Sequence, residues 1–254
     1  MAPVPERATR VLGETRTLDY QATRAFFDGR ARRAADQPAL TAVLYQDANP
    51  DLARQRDEME RDMVLGWLPR HGSPRVLDVG CGIGRWGQHM APWAGAYQGI
   101  DFSEGLVELA RASLARCYPM GRFAVDVLSA TELAADRLTL APPFDIVIQA
   151  GLLVYLNDED AERVLRAVAA VTAERATVYI REPVATGDRL TLDRHWSEEL
   201  GQEYSASYRP ESWYEERLGW VLGAAGFSIT RSVPLDAGLA NRRETTQHFF
   251  LLER

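Results

Sequence analysis

The stretch Val76-Leu77-Asp78-Val79-Gly80-Cys81-Gly82-Ile83-Gly84-Arg85-Trp86-Gly87 decides how this chain is read. The apolar run from Arg75 to Val79 reads as a buried parallel strand. An acid stands at its end, and glycines follow at 80, 82 and 84. Glycine lets the backbone turn sharply there, and lets a ligand approach main-chain N–H groups with no Cβ in the way. A helix is predicted from near Gly84 to just before Pro92. Its free N–H groups point back over the loop.

Two cofactor classes use such a turn. Gly82 to Gly87 satisfies the G-x-G-x-x-G pattern of dinucleotide folds, a short motif with little specificity. That reading leaves Asp78 without a part. Asp78 to Gly84 reads D-x-G-x-G-x-G, and in this it resembles the first motif of the class I S-adenosylmethionine (SAM) methyltransferases. A glycine-rich turn with no ligand is the remaining alternative.

Outward from the loop, Tyr97 to Phe102 forms a second strand ending in an acid. Asp101 lies about twenty residues past the start of the loop, where a nucleotide fold places the carboxylate that accepts from ribose hydroxyls. Ser103 is a candidate N-cap for a helix whose apolar side is Leu106, Val107, Leu109, Ala110 and Leu114. A third strand, from Arg122, ends at Asp126-Val127. Each aspartate alone could be a cap or turn residue; three acids closing three successive strands form an ordered pattern. Phe144 to Gly151 is the fourth strand and its exit loop, leading into Gly151-Leu152-Leu153-Val154-Tyr155-Leu156. Asn157 with Asp160 resembles a capping box for a helix carrying Ala161, Val164, Leu165, Val168 and Val171. Ala176 to Ile180 is the fifth strand, and Phe227 to Val233 and Gln247 to Leu252 close the chain.

The methyltransferase resemblance covers roughly residues 72 to 183, and the closing strands loosely. It implies an α/β fold: a Rossmann-like, doubly wound, seven-stranded sheet with the last strand antiparallel. It also implies SAM as cofactor. The cofactor residues that follow from it are Asp78, Gly80, Gly82, Gly84, Asp101, Phe102, Asp126, Val127 and Gln149. Asp126 would accept from the adenine amine, with the Val127 N–H meeting the ring. The family often has an aromatic or histidine pair after the fourth strand, facing the reacting methyl. This chain has Tyr155 there and no histidine, so a catalytic role carries over only in part.

Residues 1 to 17 are polar and read as a loose arm. Leu18 to Arg33 reads as a helix with Tyr20, Phe26 and Phe27. A second helix begins at Asn49-Pro50 and carries Leu52, Met59, Met63 and Trp67 at helical spacing. Residues 1–71 are therefore read as an all-helical N-terminal cap over a SAM-binding domain of residues 72–254. Residues 184 to 209 are polar and aromatic with no clean period and read as a lid insertion. Together with residues 18 to 35 they are expected to form most of the acceptor pocket. Within the insertion, His195 is the candidate general base, and a surface histidine is the plain alternative. Tyr20, Phe26, Phe27, Tyr45 and Tyr155 are candidates for an aromatic box around a sulfonium, or for ordinary core. Arg30 is a candidate partner for the cofactor carboxylate, or a solvated arginine.

The 254 residues, 46% of them hydrophobic, suffice for one elaborated α/β domain. A net charge of −7 speaks against a nucleic-acid partner. Two cysteines make no disulfide framework, and no metal site is read. No apolar run is long enough to span a membrane, and the N-terminus lacks a signal-peptide core, so a cytoplasmic monomer or homodimer without membrane contact is expected. The leading function is a methyltransferase for a small-molecule, secondary-metabolite acceptor. A second reading is a SAM-consuming enzyme that cyclises SAM to a small-ring amino acid and releases methylthioadenosine. A third is a non-catalytic SAM-binding protein, and a fourth an NAD-dependent oxidoreductase.

Overall fold

The computed structural model describes residues 9–34, 40–44, 49–118, 121–198, 200–235 and 243–254. Its larger sheet is built on β2 (Arg75–Val79), whose Val76, Leu77 and Val79 are fully buried. Beside it run β3 (Ala96–Asp101), β4 (Phe123–Val127), β5 (Phe144–Ala150) and β6 (Thr172–Ala185). β9 (Ser228–Pro234) and β10 (Thr245–Glu253) complete seven strands in the order β4-β3-β2-β5-β6-β10-β9. β10 is antiparallel to both β6 and β9, and the other pairings of this sheet are parallel. The chain winds outward from β2 through β3 to β4, then returns to place β5 on the other side of β2. A crevice therefore opens outside the carboxyl ends of β2, β3 and β5, the switch point where such sheets bind ligands.

Helices cover both faces. On one, α6 (Asp158–Val171) buries Ala161, Val164, Leu165, Val168 and Val171, the stripe read from sequence, beside Tyr214, Leu218 and Val221 of α7 (Glu211–Val221). On the other lie α3 (Pro50–Trp67), α4 (Arg85–Met90) and α5 (Glu104–Cys117), packed on Val76, Ile146 and Ile148. Two further helices, α1 (Tyr20–Arg33) and α2 (Thr41–Leu44), precede them. Asp19 caps α1 by accepting from the Gln21 and Ala22 amides, and Asn49 caps α3 ahead of Pro50.

Two expectations are corrected. The N-terminal region is not wholly helical, because β1 (Arg10–Leu12) is a strand. Residues 184 to 209 are not irregular. β6 continues through Ala185, and β7 (Leu190–Ser197) and β8 (Gln202–Tyr208) form an antiparallel pair with β1 on its outer edge. The alternation that would announce these strands is broken by a register shift between Leu192 and His195, where Arg194 takes φ +52°. α3 carries Leu52, Met59, Met63 and Trp67 at the helical spacing read from sequence. Its buried line is Ala53, Asp57, Glu60 and Val64, with Met59, Met63 and Trp67 partly buried beside it.

Two buried carboxylates on a helix face need partners. Arg85 Nη1 lies 2.6 Å from Asp57, and Arg85 Nη2 lies 3.0 Å from Glu60. The Tyr179 hydroxyl donates to Glu60 at 2.6 Å, and His89 Nε2 lies 3.2 Å from Asp57. Asp57 is held down to about 2: its bonds to His89 and Arg85 outweigh the opposing effect of burial. This network fastens the N-terminal segment to the sheet.

Candidate cofactor cleft and adjoining cavity

The crevice holds about 1080 Å³ of atom-free space, open to solvent. Its floor is the glycine loop after β2. Gly80 and Gly82 line it, with φ of +77° and +52°. Gly84 (φ +73°) does not line it. It stands at the N-cap of α4, where a Cβ would come within 3.2 Å of Ala110 and Leu114 on α5. The third glycine of the motif thus serves helix packing.

Asp101, at the end of β3, lines the cleft and braces its floor. Oδ2 accepts from the Gly82 amide and Oδ1 from the Ser103 amide, both at 2.9 Å. Burial pushes its carboxyl up to about 6, the two amide bonds opposing the rise. Each oxygen keeps acceptor capacity for a ligand hydroxyl. Beside it Phe102, Leu106, Leu128 and Ala130 give an apolar slot edged by Ser129 and Thr131. An acid at a strand end, an apolar slot and a floor without Cβ atoms together fit an adenosyl group.

α1 forms the roof. Tyr20, Thr23, Arg24 and Phe27 line the cleft, at the i, i+3, i+4, i+7 spacing of one helix face. Arg24 donates to the Phe102 carbonyl at 2.7 Å and lies 5.2 Å from its ring centroid. Phe27 meets Phe102 and Tyr155 edge-on, at centroid distances of 5.5 and 5.0 Å. The Tyr20 hydroxyl donates to Asp160 at 2.5 Å and accepts from the Asn157 amide at 2.9 Å. Burial and the Asp160 bond push that phenol up to about 12. Both expected caps are spent on docking this helix and the segment leading into it: Asn157 Oδ1 accepts from the Leu18 amide, and Ser103 Oγ donates to Asp28.

Tyr155 lies in the turn after β5, at the junction with a second cavity. Val43, Ala150, Gly151 and Tyr155 line both spaces. The second cavity continues along β6 and β10 past Arg181, Gln247 and Tyr208. The turn is held from both sides. Glu182, fully buried, accepts from the amides of Leu152, Leu153 and Val154 at 2.9, 2.8 and 3.1 Å. Arg209, also fully buried, donates to the carbonyls of Leu153 (2.7 Å) and Leu156 (2.5 Å) and to Asp158 (2.8 Å). Glu182→Gln puts an amide NH₂ against an N–H donor and is expected to cost about 2 kcal/mol of stability. Urea denaturation measures it; a change below about 0.5 kcal/mol would show that the turn does not depend on this carboxylate.

The structure thus gathers Gly80, Gly82, Asp101, Phe102, Tyr20, Phe27 and Tyr155 at one place. It does not bring the remaining candidates to the cleft. Asp78 is buried beneath it, accepts from the Tyr97 hydroxyl at 2.7 Å, and is pushed up to about 7 by burial. Asp126 spends its carboxylate on the Thr139 amide and hydroxyl and on Gln98, while Val127 is 45% exposed and does not line the cleft. The residues that follow them, Leu128 to Thr131, are the ones that line the cleft. Gln149 is fully buried within β5. Arg30 is buried and donates to the Thr41 carbonyl, tying α1 to α2. Phe26 packs with Tyr204 and Leu190 under the smaller sheet. His195 Nδ1 lies 3.0 Å from the Thr9 hydroxyl, within that sheet's own surface. Residues 184 to 209 line the second cavity through Tyr208, and none of the described ones lines the cleft. Tyr45 lies outside the described residues.

Residues 76–175 match the family model described as a methyltransferase domain. Over that stretch the chain is similar to methyltransferase domains. A phosphoethanolamine N-methyltransferase 1 of Triticum aestivum is 29% identical over 130 residues, which are 51% of this chain and 25% of that protein. The chain spans about a quarter of the length of the curated relatives it matches. Among solved structures, a phosphoethanolamine N-methyltransferase 1 of Haemonchus contortus, in complex with phosphoethanolamine and S-adenosylhomocysteine, superposes with a TM-score of 0.68 at 19% identity. It covers 93% of this chain and 50% of that one. The magnesium protoporphyrin IX methyltransferase of Synechocystis, with bound SAM, gives 0.62 at 19% identity, covering 95% of this chain and 100% of that one. These likenesses establish the methyltransferase fold, with its antiparallel strand near the sheet edge. Among the described residues no helix is long and apolar enough to cross a membrane.

Proposed function

We propose that this chain binds SAM in the cleft and transfers its methyl group to a small biosynthetic acceptor held in the adjoining cavity. The observation that carries the reading is the pairing of two cavities through Val43, Ala150, Gly151 and Tyr155. A nucleoside cofactor fits the first, and the second leaves room for a separate acceptor. Cyclisation of the cofactor on itself needs no such space. The relatives' acceptors, phosphoethanolamine and magnesium protoporphyrin IX, differ too much to choose one for this chain.

When bound, SAM supplies a methyl on a positively charged sulfur, which keeps the bonding electron pair as the acceptor attacks. The chain's own task is to hold, align and exclude water. Asp101 accepts from the ribose hydroxyls while keeping Gly82 in place. Phe102, Leu128 and Ala130 enclose the base. Phe27 and Tyr155 put aromatic surface beside the junction, favouring positive charge there. Tyr155, at the junction, is the side chain placed to meet the acceptor. α1 closes the space from above.

The ribose bond prefers the ionised acid, which sets a pH dependence. Burial pushes the Asp101 carboxyl up to about 6. Below that value binding must first remove a proton, so affinity falls with falling pH, by at most about tenfold per unit. Above it affinity is level. Calorimetry with S-adenosylhomocysteine should show this bend, and Asp101→Asn should bind more weakly and without it. A bend of equal size in the variant would remove Asp101 from the ribose role.

A further inference from the structure

The second cavity contains a guanidinium that the protein satisfies only in part. Arg181, near the end of β6, is 8% exposed. Its Nε lies 3.4 Å from Glu60 and its Nη1 3.3 Å from Gln247 Oε1, both at the long end of hydrogen-bond range. Nη2 meets no acceptor among the described residues. Glu60 gives its short contacts elsewhere, to Tyr179 at 2.6 Å and Arg85 at 3.0 Å. Arg181 is thus the loosely held cation of the network, with most of its five donors left for something else. A buried cationic donor without acceptors is costly, and a rigid planar fork is matched by two oxygens on one atom. The fork faces the junction: a Cβ on Gly151 would lie 3.0 Å from Nη1 and 3.9 Å from Nη2. Gly151 (φ +79°) leaves this approach open. Arg56, Thr245 and Thr246 line the same cavity, adding a second cation and two hydroxyls.

We propose that Arg181 is the acceptor-recognising residue of the second cavity, and that the acceptor carries a carboxylate or a phosphate group which this guanidinium receives. The proposal rests on the methyl-transfer reading of the cleft. It makes the acceptor an anionic small molecule, with the methylated atom toward Tyr155 and the anionic group toward β6 and β10.

The full chain is incubated with methyl-labelled SAM and a metabolite extract of its source organism, separated on an anion exchanger. Label should enter a product formed from the retained, anionic fraction. Phosphatase treatment of that fraction abolishes labelling if the group is a phosphate monoester; carbodiimide amidation abolishes it if the group is a carboxylate. Arg181→Met should lower the labelling at least about tenfold, and Arg181→Lys less, because a point charge replaces only part of the fork. S-adenosylhomocysteine affinity reports whether each variant keeps its cleft. Label appearing from the neutral or cationic fraction overturns the anionic-acceptor inference and leaves methyl transfer standing. Label surviving both treatments of the anionic fraction also overturns it. No labelled product from any fraction overturns methyl transfer, and this inference with it. The fractionation arms use the wild-type chain, so the test holds even if Arg181→Met does not fold.

Discussion

Replacing Gly82 with valine is expected to raise the dissociation constant for S-adenosylhomocysteine at least about 100-fold, near 2.7 kcal/mol, while the fold persists. Two effects add. Gly82 has φ +52°, a region that β-branched residues adopt only under strain of about 1–3 kcal/mol. A Cβ there would also lie 2.8 Å from Val43 Cγ1, across the space where the loop faces α2. The loop would have to move, and with it the amide that donates to Asp101 at 2.9 Å. Floor and ribose acceptor would shift together. The core beneath, Leu77, Val79 and Ile100, does not depend on that side chain. Circular dichroism checks the fold and calorimetry the affinity. Unchanged affinity in a folded variant would mean that the glycine loop is not the floor of the binding site.

Glu60→Ala is expected to cost about 3–5 kcal/mol of stability, because it leaves buried cations without their carboxylate. Arg85, whose side chain is 7% exposed, would keep Asp57 alone, and Arg181 would lose its only carboxylate contact among the described residues. The buried Tyr179 hydroxyl would lose its acceptor as well. Because α3 is fastened to the sheet through these bonds, the N-terminal segment should loosen before the sheet does. Denaturant unfolding gives the magnitude, and hydrogen exchange should show early loss of protection in residues 50–67. A cost below about 1 kcal/mol would show that apolar packing alone holds α3 in place.

The sheet was legible because its strands are short apolar runs with punctuation at both ends; the central β2, β3 and β5 are buried as expected, while β9 at the edge buries none of its residues. The cleft was legible where sequence order fixes position: Gly80, Gly82, Asp101 and Phe102 follow directly from strand ends. It was less legible where a strand end could fall a residue or two either way. Asp126 and Val127 sit just before Leu128 and Ser129, the residues that face the cavity, and a small shift in where β4 ends changes which side chains point inward. Side chains with two uses were misread for another reason. Ser103, Asn157 and Asp160 look like helix caps but tie down α1 and the segment leading into it, a long-range role that local spacing does not encode. The charged stripe of α3 hides its partners in the same way, since Asp57 and Glu60 are buried only because Arg85, Tyr179 and Arg181 come from elsewhere in the chain. Arg24 was within reach of the sequence: it lies one turn beyond Tyr20 and one turn before Phe27.

The most direct measurement is the identity of what the protein makes from SAM. The full chain is incubated with SAM carrying a ¹³C methyl group, first alone and then with the metabolite extract, and both nucleoside and small-molecule products are read by mass spectrometry. Methyl transfer predicts little turnover alone, and S-adenosylhomocysteine with an equal amount of a ¹³C-methylated product once the acceptor is supplied. Methylthioadenosine together with a cyclic amino acid, formed from SAM alone, would contradict it.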